Sequence, residues 1–435
     1  MKFVFVAFVY LLAGTGISRA ADLAGGWTGT WTKDGDALPV AVTFAKNADA
    51  WSGSFSSDAL QVLDIPLTDV TDTGGKVRWL LKGDATTSTF DGTLSDDSLN
   101  GTFAEGRSNG TFALRRGDAA PVSISSRDVT FGDGNVTLAG TLLEPQTPGP
   151  HPAILFLHGS GAEGRWANSY LAHKFAEAGF AALITDKRGV GKSTGDWKTV
   201  GFDALADDAL AGLRFLRAQP DIDTARVGIY GHSQGGTFSP MVAVRDGNLA
   251  FVIASAASGM STGDTERFSL MNSVGMSALP PAEQKDAWRY IDGIADVAYR
   301  AKPRKALDAI AAKFKSRSWY FPLPPPGDSY WTISRQIADF QSWRWWKQVH
   351  SPVMLVYGGL DAREPPTRSI KAIQSALYDG ENFRIAVKFY PEADHNFVIV
   401  MPPKQGGWPA REPDYAANLI QWAKAQSGAP TSGNR

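Results

Sequence analysis

Val227–Tyr230 is a short apolar run that passes straight into Gly231-His232-Ser233-Gln234-Gly235, with Gly236 next. The G-x-S-x-G spacing limits what this chain can fold into. A serine that is to attack must carry its hydroxyl at the tip of a tight turn. Glycines two residues to either side let a strand and a helix approach that turn without a Cβ clash. In a chain with 45 glycines the pentapeptide by itself carries little weight. Its setting carries more, because a buried-type strand precedes it and small residues able to open a helix follow. The reading is a strand–turn–helix with Ser233 at the turn. It requires a base, an acid and an oxyanion site from elsewhere in the chain.

The sequence around the turn supplies a matching frame. From Ala153 onward, continuous apolar strands alternate with helical stretches. Ala153–Leu157 ends in His158-Gly159-Ser160-Gly161, and a helix over about 167–178 is stopped by Gly179. Ala181–Thr185 leads into Asp186-Lys187-Arg188-Gly189-Val190-Gly191-Lys192-Ser193-Thr194. Leu205, Ala209, Leu213 and Leu216 line one face of the next helix. After the serine turn come the strands Leu249–Ala254, Val353–Tyr357 and Arg384–Phe389, and a closing helix over about 415–425. This alternation predicts an α/β unit over 128–426, with a mostly parallel sheet and helices on both faces. Between about 259 and 351 the pattern lapses into helical stretches rich in aromatic residues, such as Trp319, Trp331, Trp343 and Trp346. That stretch reads as a helical insertion, a lid over one end of the sheet. Its aromatics fit an apolar acyl or aryl pocket, and they fit core packing equally well.

The first part of the chain has a different texture. Residues 22–118 are rich in Gly, Thr, Ser and Asp. Seven short strands are expected there: Trp27–Trp31, Pro39–Ala45, Trp51–Phe55, Lys76–Leu81, Thr89–Leu94, Leu99–Phe103 and Gly110–Leu114. They predict a small antiparallel β domain, a barrel or a sandwich. No cluster of His, Asp or Glu marks a site in it, so it reads as a structural or positioning module. Arg116–Ser126 reads as a linker, followed by a hairpin around Gly132-Asp133-Gly134-Asn135. Met1–Ala20 has the three-part layout of a secretory signal peptide, with Ser18-Arg19-Ala20 as the cleavage site. The expected product is exported, periplasmic or extracellular, with no stable membrane anchor after cleavage. The formal net charge of −1 gives no attraction for nucleic acid. The absence of cysteine excludes disulfides, thiol nucleophiles and cysteine metal sites. No metal-ligand spacing and no cofactor motif is found. Gly189–Thr194 has the end of a phosphate-binding loop, but Asp186 occupies the position where the first glycine is needed. Nothing in the sequence marks an oligomeric state.

Of the six histidines, His395 follows the last expected strand in a loop with room to reach Ser233. His151, His158, His173, His232 and His350 read as structural. Asp361, at the end of the preceding strand, is the expected acid, and Glu364 three residues on is the alternative. The order serine, aspartate, histidine is the one such a sheet uses. The oxyanion site needs two backbone N–H groups. Gln234, after the serine, supplies one, and Ser160, in the loop after the first parallel strand, supplies the other.

These segments together resemble the α/β-hydrolase family, and most of all exported bacterial esterases related to dienelactone hydrolases and to prolyl-oligopeptidase-type catalytic domains. The resemblance rests on His158–Gly161, Asp186–Ser193, Gly231–Gly235, Gly359–Asp361 and Asp394-His395. It covers about 128–426 and leaves out the N-terminal domain and the insertion. It implies an eight-stranded sheet, a Ser233–His395–Asp361 triad and oxyanion donors at Ser160 and Gln234. The expected activity is hydrolysis of a small-molecule carboxylic ester without a cofactor. Peptidase, amidase or thioesterase action with the same triad is the alternative, and a binding protein on the same scaffold is a further one.

Overall fold

The computed structural model describes residues 22–48, 50–83, 86–117, 124–400 and 407–428. The expected signal peptide lies outside the described residues. The N-terminal part is a closed barrel of eight antiparallel strands: β1 (Gly25–Lys33), β2 (Asp36–Asn47), β3 (Ala50–Ser57), β4 (Val62–Thr73), β5 (Lys76–Lys82), β6 (Thr87–Ser95), β7 (Ser98–Glu105) and β8 (Ser108–Arg116). Closure comes from β1, which pairs with both β2 and β8. Alternation fills the interior. Leu38, Val40, Val42 and Phe44 of β2 are buried at every second position, against Trp27, Trp31, Trp79 and Phe90. Gly92 and Gly101, each two residues after a buried Phe90 or Leu99, share that inner face. A Cβ at either would stand 2.8 Å from the Phe112 ring, so the glycines make room for it.

Eight strands rather than the expected seven close the barrel. The additional one, β4, has Pro66 and three aspartates in twelve residues, all poor strand formers. It pairs irregularly, with a register shift between Thr68 and Thr71, and Asp64 and Asp69 have positive φ. Two further strands, β9 (Ile124–Asp133) and β10 (Val136–Pro145), form the hairpin, and β9 begins inside the stretch read as linker.

The α/β unit continues with β11 (His151–Leu157), α1 (Ser169–Glu177), β12 (Ala181–Thr185), α2 (Phe202–Arg217), β13 (Ile222–His232), α3 (Gln234–Asp246) and β14 (Phe251–Ser255). Then follow α4 (Thr262–Ser273), α5 (Pro281–Ala298), α6 (Arg304–Phe314), α7 (Ser329–Gln336) and α8 (Ser342–Trp346). Last come β15 (Val353–Gly358), α9 (Pro366–Asp379), β16 (Ile385–Tyr390) and α10 (Tyr415–Gln426). The sheet has eight strands in the order β16-β15-β14-β13-β11-β12-β10-β9. It is parallel from β16 to β12 and antiparallel at the β10 and β9 end. Both faces are covered. In β11, Ile154 and Phe156 pack with α1 and α10, whereas Leu155 and Leu157 pack with α2 and α3.

Helices α4 to α8 lie between β14 and β15. Their aromatics are chiefly core. Trp319 and Trp331 pack with Tyr290 and Phe314 in a separate hydrophobic cluster, and Trp346 is fully buried against the sheet. The barrel docks on the α/β unit through the loop before α10. Trp408 lies against Trp31 and Phe103, with ring centroids 6.2 and 5.8 Å apart, and its Nε1–H donates to the Asp36 carbonyl at 3.1 Å. Gln61 Nε2 donates to the Glu412 carbonyl at 2.9 Å.

Candidate active site

Strand β13 delivers Ser233 to the start of α3 with φ +54° and ψ −118°, a conformation that side-chain-bearing residues rarely adopt. The flanking glycines allow it. A Cβ on Gly231 would stand 2.4 Å from the Gly235 carbonyl, and one on Gly235 would stand 2.7 Å from the His158 carbonyl. The turn is pinned by Ser233 N–H donating to the Ser255 carbonyl at 2.8 Å.

The loop after β16 brings His395 over this turn. Its Nε2 lies 3.0 Å from Ser233 Oγ, and its Nδ1 lies 2.7 Å from Asp361 Oδ2. A carboxylate can only accept, so Nδ1 carries the proton and Nε2 is left to accept from the serine. Asp361 is buried at the end of β15, and its other oxygen accepts the N–H groups of Arg363 and Glu364, both at 2.8 Å. Glu364 is buried behind it. Burial, then the Asp361 charge, holds its carboxyl well above the usual range, and among the described residues its Oε2 has no hydrogen-bond partner. Asp361, not Glu364, faces the imidazole.

The other histidines are held elsewhere. His151 Nε2 donates to the Thr147 carbonyl, and His173 Nδ1 to the Ser169 carbonyl. His158 Nε2 donates to the Thr185 carbonyl at 2.7 Å, and burial lowers its pKa to about 4. His232 stands 5.0 Å from His395, ring to ring, and burial keeps it neutral. The loop that resembles the end of a phosphate site is consumed by the fold. Lys192 Nζ pairs with Asp128 at 2.9 Å, and Ser193 Oγ donates to the Asp186 carbonyl while accepting from Ala139 N–H.

Ser160 is exposed in the loop after β11, and Gln234 is the first residue of α3, where a helix leaves N–H groups without intrahelical acceptors. Sequence reasoning missed what ties these two segments together. Lys187 is almost fully buried, and its Nζ donates to the carbonyls of Gly159 at 2.9 Å and Gly161 at 3.0 Å and to Gln234 Oε1 at 3.1 Å. It also stands 4.9 Å over the Trp197 ring. Lys187 stands two residues past the end of β12, and nothing in the local sequence pattern sets it apart from a solvated loop lysine. Burial pushes its pKa down to about 8, against the Glu163 charge, which raises it.

Lys187→Met removes all three bonds and is expected to lower kcat on the order of 10- to 100-fold, with KM little changed. Above about pH 8 the ammonium loses its proton and offers two N–H groups to three acceptors. The wild-type rate is therefore expected to fall with an inflection near pH 8 that Lys187→Met lacks. Because the unfolded lysine keeps its proton to higher pH, this group's contribution to stability rises across the same window. A rate loss there is thus separable from unfolding by measuring kcat and Tm together from pH 6 to 10.

Beside the nucleophile turn a cleft of about 590 Å³ opens between the two units. His232, Asn396 and Gly159–Ala162 line one side, and Phe55, Leu60, Val62, Ile65 and Leu81 of the barrel region line the other. No residue of α4 to α8 lines it, so this opening is built from the barrel rather than from the aromatic insertion.

A mostly parallel eight-stranded sheet with serine, histidine and aspartate joined in this order at its strand ends defines an α/β hydrolase, and the chain is a hydrolase of that class. It belongs to the X-Pro dipeptidyl-peptidase (S15) family, whose model matches residues 133–372. The barrel lies outside the match. An uncharacterized 31.7 kDa protein of the traX-finO intergenic region of Escherichia coli is 23% identical over 264 residues, covering 59% of this chain and 87% of that protein. Dipeptidyl peptidase 8 of Mus musculus is 31% identical over 171 residues, which are 35% of this chain and 19% of that one. Among solved structures, an esterase of Pyrococcus furiosus matches 72% of this chain and 96% of its own, with 17% identity and a TM-score of 0.47.

Proposed function

We propose that this hydrolase cleaves carboxylic esters through an acyl-enzyme on Ser233. The observation that carries the reading is the hydrogen-bonded series Ser233–His395–Asp361, at 3.0 and 2.7 Å. His395 Nε2 takes the hydroxyl proton as Ser233 Oγ attacks the acyl carbon. Asp361 holds the proton on Nδ1 and stabilises the imidazolium. The N–H groups of Gln234 and Ser160 receive the oxyanion. His395 then protonates the leaving alkoxide and, in the second half, takes a proton from the water that releases the acid. The insertion acts as the lid, joined to the acid's loop by Asn272 Nδ2 donating to the Ala362 carbonyl at 3.0 Å. The layout of residues 1–20 supports export to the periplasm or beyond.

The family match favours a second reading, removal of an X-Pro dipeptide from a peptide. Recognising a peptide's ammonium requires a carboxylate free to meet it. The cleft's Glu105 is paired with Lys33 at 3.0 Å, and its Glu163 accepts the Gly159 N–H at 2.6 Å. A panel of p-nitrophenyl esters, thioesters and Xaa-Pro p-nitroanilides decides between the two. The esters are expected to give the highest kcat/KM, and a preference for the anilides would overturn the ester reading.

A further inference from the structure

The cleft beside the nucleophile turn contains a cation that the reaction above does not use. Arg411 lines it, and among the described residues its side chain has no hydrogen-bond or ion-pair partner. Other arginines of the α/β unit are engaged. Arg165 pairs with Asp186, Arg188 with Asp208 and Arg217 with Asp246. The backbone around Arg411 is fixed from both sides. Arg411 bridges Val398, Ile399 N–H donates to the Ala410 carbonyl, and Glu412 N–H donates to the Phe397 carbonyl. A guanidinium whose backbone is held on both sides, lining the cleft with no acid paired to it among the described residues, is arranged for a planar anion. Its charge reaches Tyr170, Tyr230, His232 and Tyr415, and the Glu163 carboxylate, which lines the same cleft and also acts on Tyr230, accepts the Gly159 N–H at 2.6 Å. Between Arg411 and the barrel wall the lining is apolar at Leu60, Val62 and Ile65.

Resting on the ester reading, we infer that the substrate carries a carboxylate on an apolar chain. Arg411 binds the carboxylate, and the barrel wall receives the chain. The barrel thereby becomes part of the binding site, and the substrate class narrows to carboxylated esters. The anion lies on the acyl side or on the leaving side of the scissile bond.

Two matched substrate pairs test this. The first sets the mono-p-nitrophenyl ester of hexanedioic acid against p-nitrophenyl hexanoate. The second sets 4-carboxyphenyl hexanoate against its methyl ester. The wild type is expected to prefer the anionic member of one pair, and the pair identifies the side. In Arg411→Gln the ratio of kcat/KM, anionic over neutral, is expected to fall on the order of 10- to 100-fold, with partial recovery in Arg411→Lys. An unchanged ratio in both pairs, or no anionic preference in the wild type, overturns the inference. Should Arg411→Gln fail to fold, inhibition of the wild type on the neutral ester provides the same reading. Hexanedioate is expected to inhibit more strongly than hexanoate, and equal inhibition overturns the inference. Wild-type turnover of the neutral ester, and its loss in Ser233→Ala, reports separately on the ester reading.

Discussion

Ser233→Ala is expected to lower kcat for p-nitrophenyl ester hydrolysis on the order of 10⁴-fold or more while leaving the fold in place. The size follows from the loss of the attacking atom. What remains is binding and oxyanion stabilisation, which still act on water as a poor nucleophile. The fold survives because the bonds that pin the turn are made by the backbone. Ser233 N–H donates to the Ser255 carbonyl, and the Ser233 carbonyl accepts from Thr237 N–H and Thr237 Oγ at 2.9 and 3.0 Å. Among the described residues the side chain bonds only to His395 Nε2. Alanine keeps the Cβ, so the positive φ at this position is no more strained than before. The check is kcat together with Tm, and Tm is expected to stay within a few degrees.

Asp361→Asn is expected to lower kcat about 10³- to 10⁴-fold, and Glu364→Gln to keep it within about tenfold of wild type. The asymmetry is written in the hydrogen bonds. Asp361 Oδ1 accepts two backbone N–H groups, from Arg363 and Glu364. In the variant, the asparagine oxygen must stay there, because an amide NH₂ would face two donors. The NH₂ is then turned to His395 Nδ1 and donates to it. That leaves the proton on Nε2, where it blocks acceptance from Ser233. Glu364, by contrast, makes no hydrogen bond to His395 or Ser233 among the described residues, and burial, then the Asp361 charge, holds its carboxyl well above the usual range. The sign of its effect on stability follows. The folded state keeps this proton while the unfolded state releases it above about pH 4.5, so its contribution to stability falls as pH rises from there. Gln cannot ionise, so Glu364→Gln is expected to raise Tm at neutral and alkaline pH. Steady-state kinetics and thermal melts of the two variants from pH 5 to 9 check both statements.

The sequence made the sheet legible because a strand buried on both faces reads as an unbroken apolar run. His151–Leu157, Ala181–Thr185 and Phe251–Ser255 are buried at every position. The nucleophile turn was legible because its two glycines are forced by backbone contacts, and chain order then singled out His395 and Asp361 for the same neighbourhood. Three features lacked a local pattern. Strand β4 is built with Pro66, Asp64 and Asp69, and barrel closure overrides their local preference. Lys187 resembles any solvated lysine in sequence. Its role arises only when the chain brings Gly159, Gly161 and Gln234 around its ammonium. The cleft joins Leu60 and Ile65 to Arg411 across some 350 residues of chain, and periodicity reports nothing at that range. The aromatic insertion fits a pocket as well as a core in sequence, because sequence does not distinguish an aromatic that lines a cavity from one that fills a core. Trp319, Trp331 and Trp346 are the second kind.

Ser233, hydrogen-bonded to His395, is poised as an activated nucleophile. The most direct test of this is labelling of the folded protein with a fluorophosphonate, followed by peptide mass spectrometry of the adduct. One adduct is expected on the peptide containing Ser233, slowed by a competing ester and absent in Ser233→Ala and after heat unfolding. An adduct at another residue, or a folded protein that takes up no label, would contradict it.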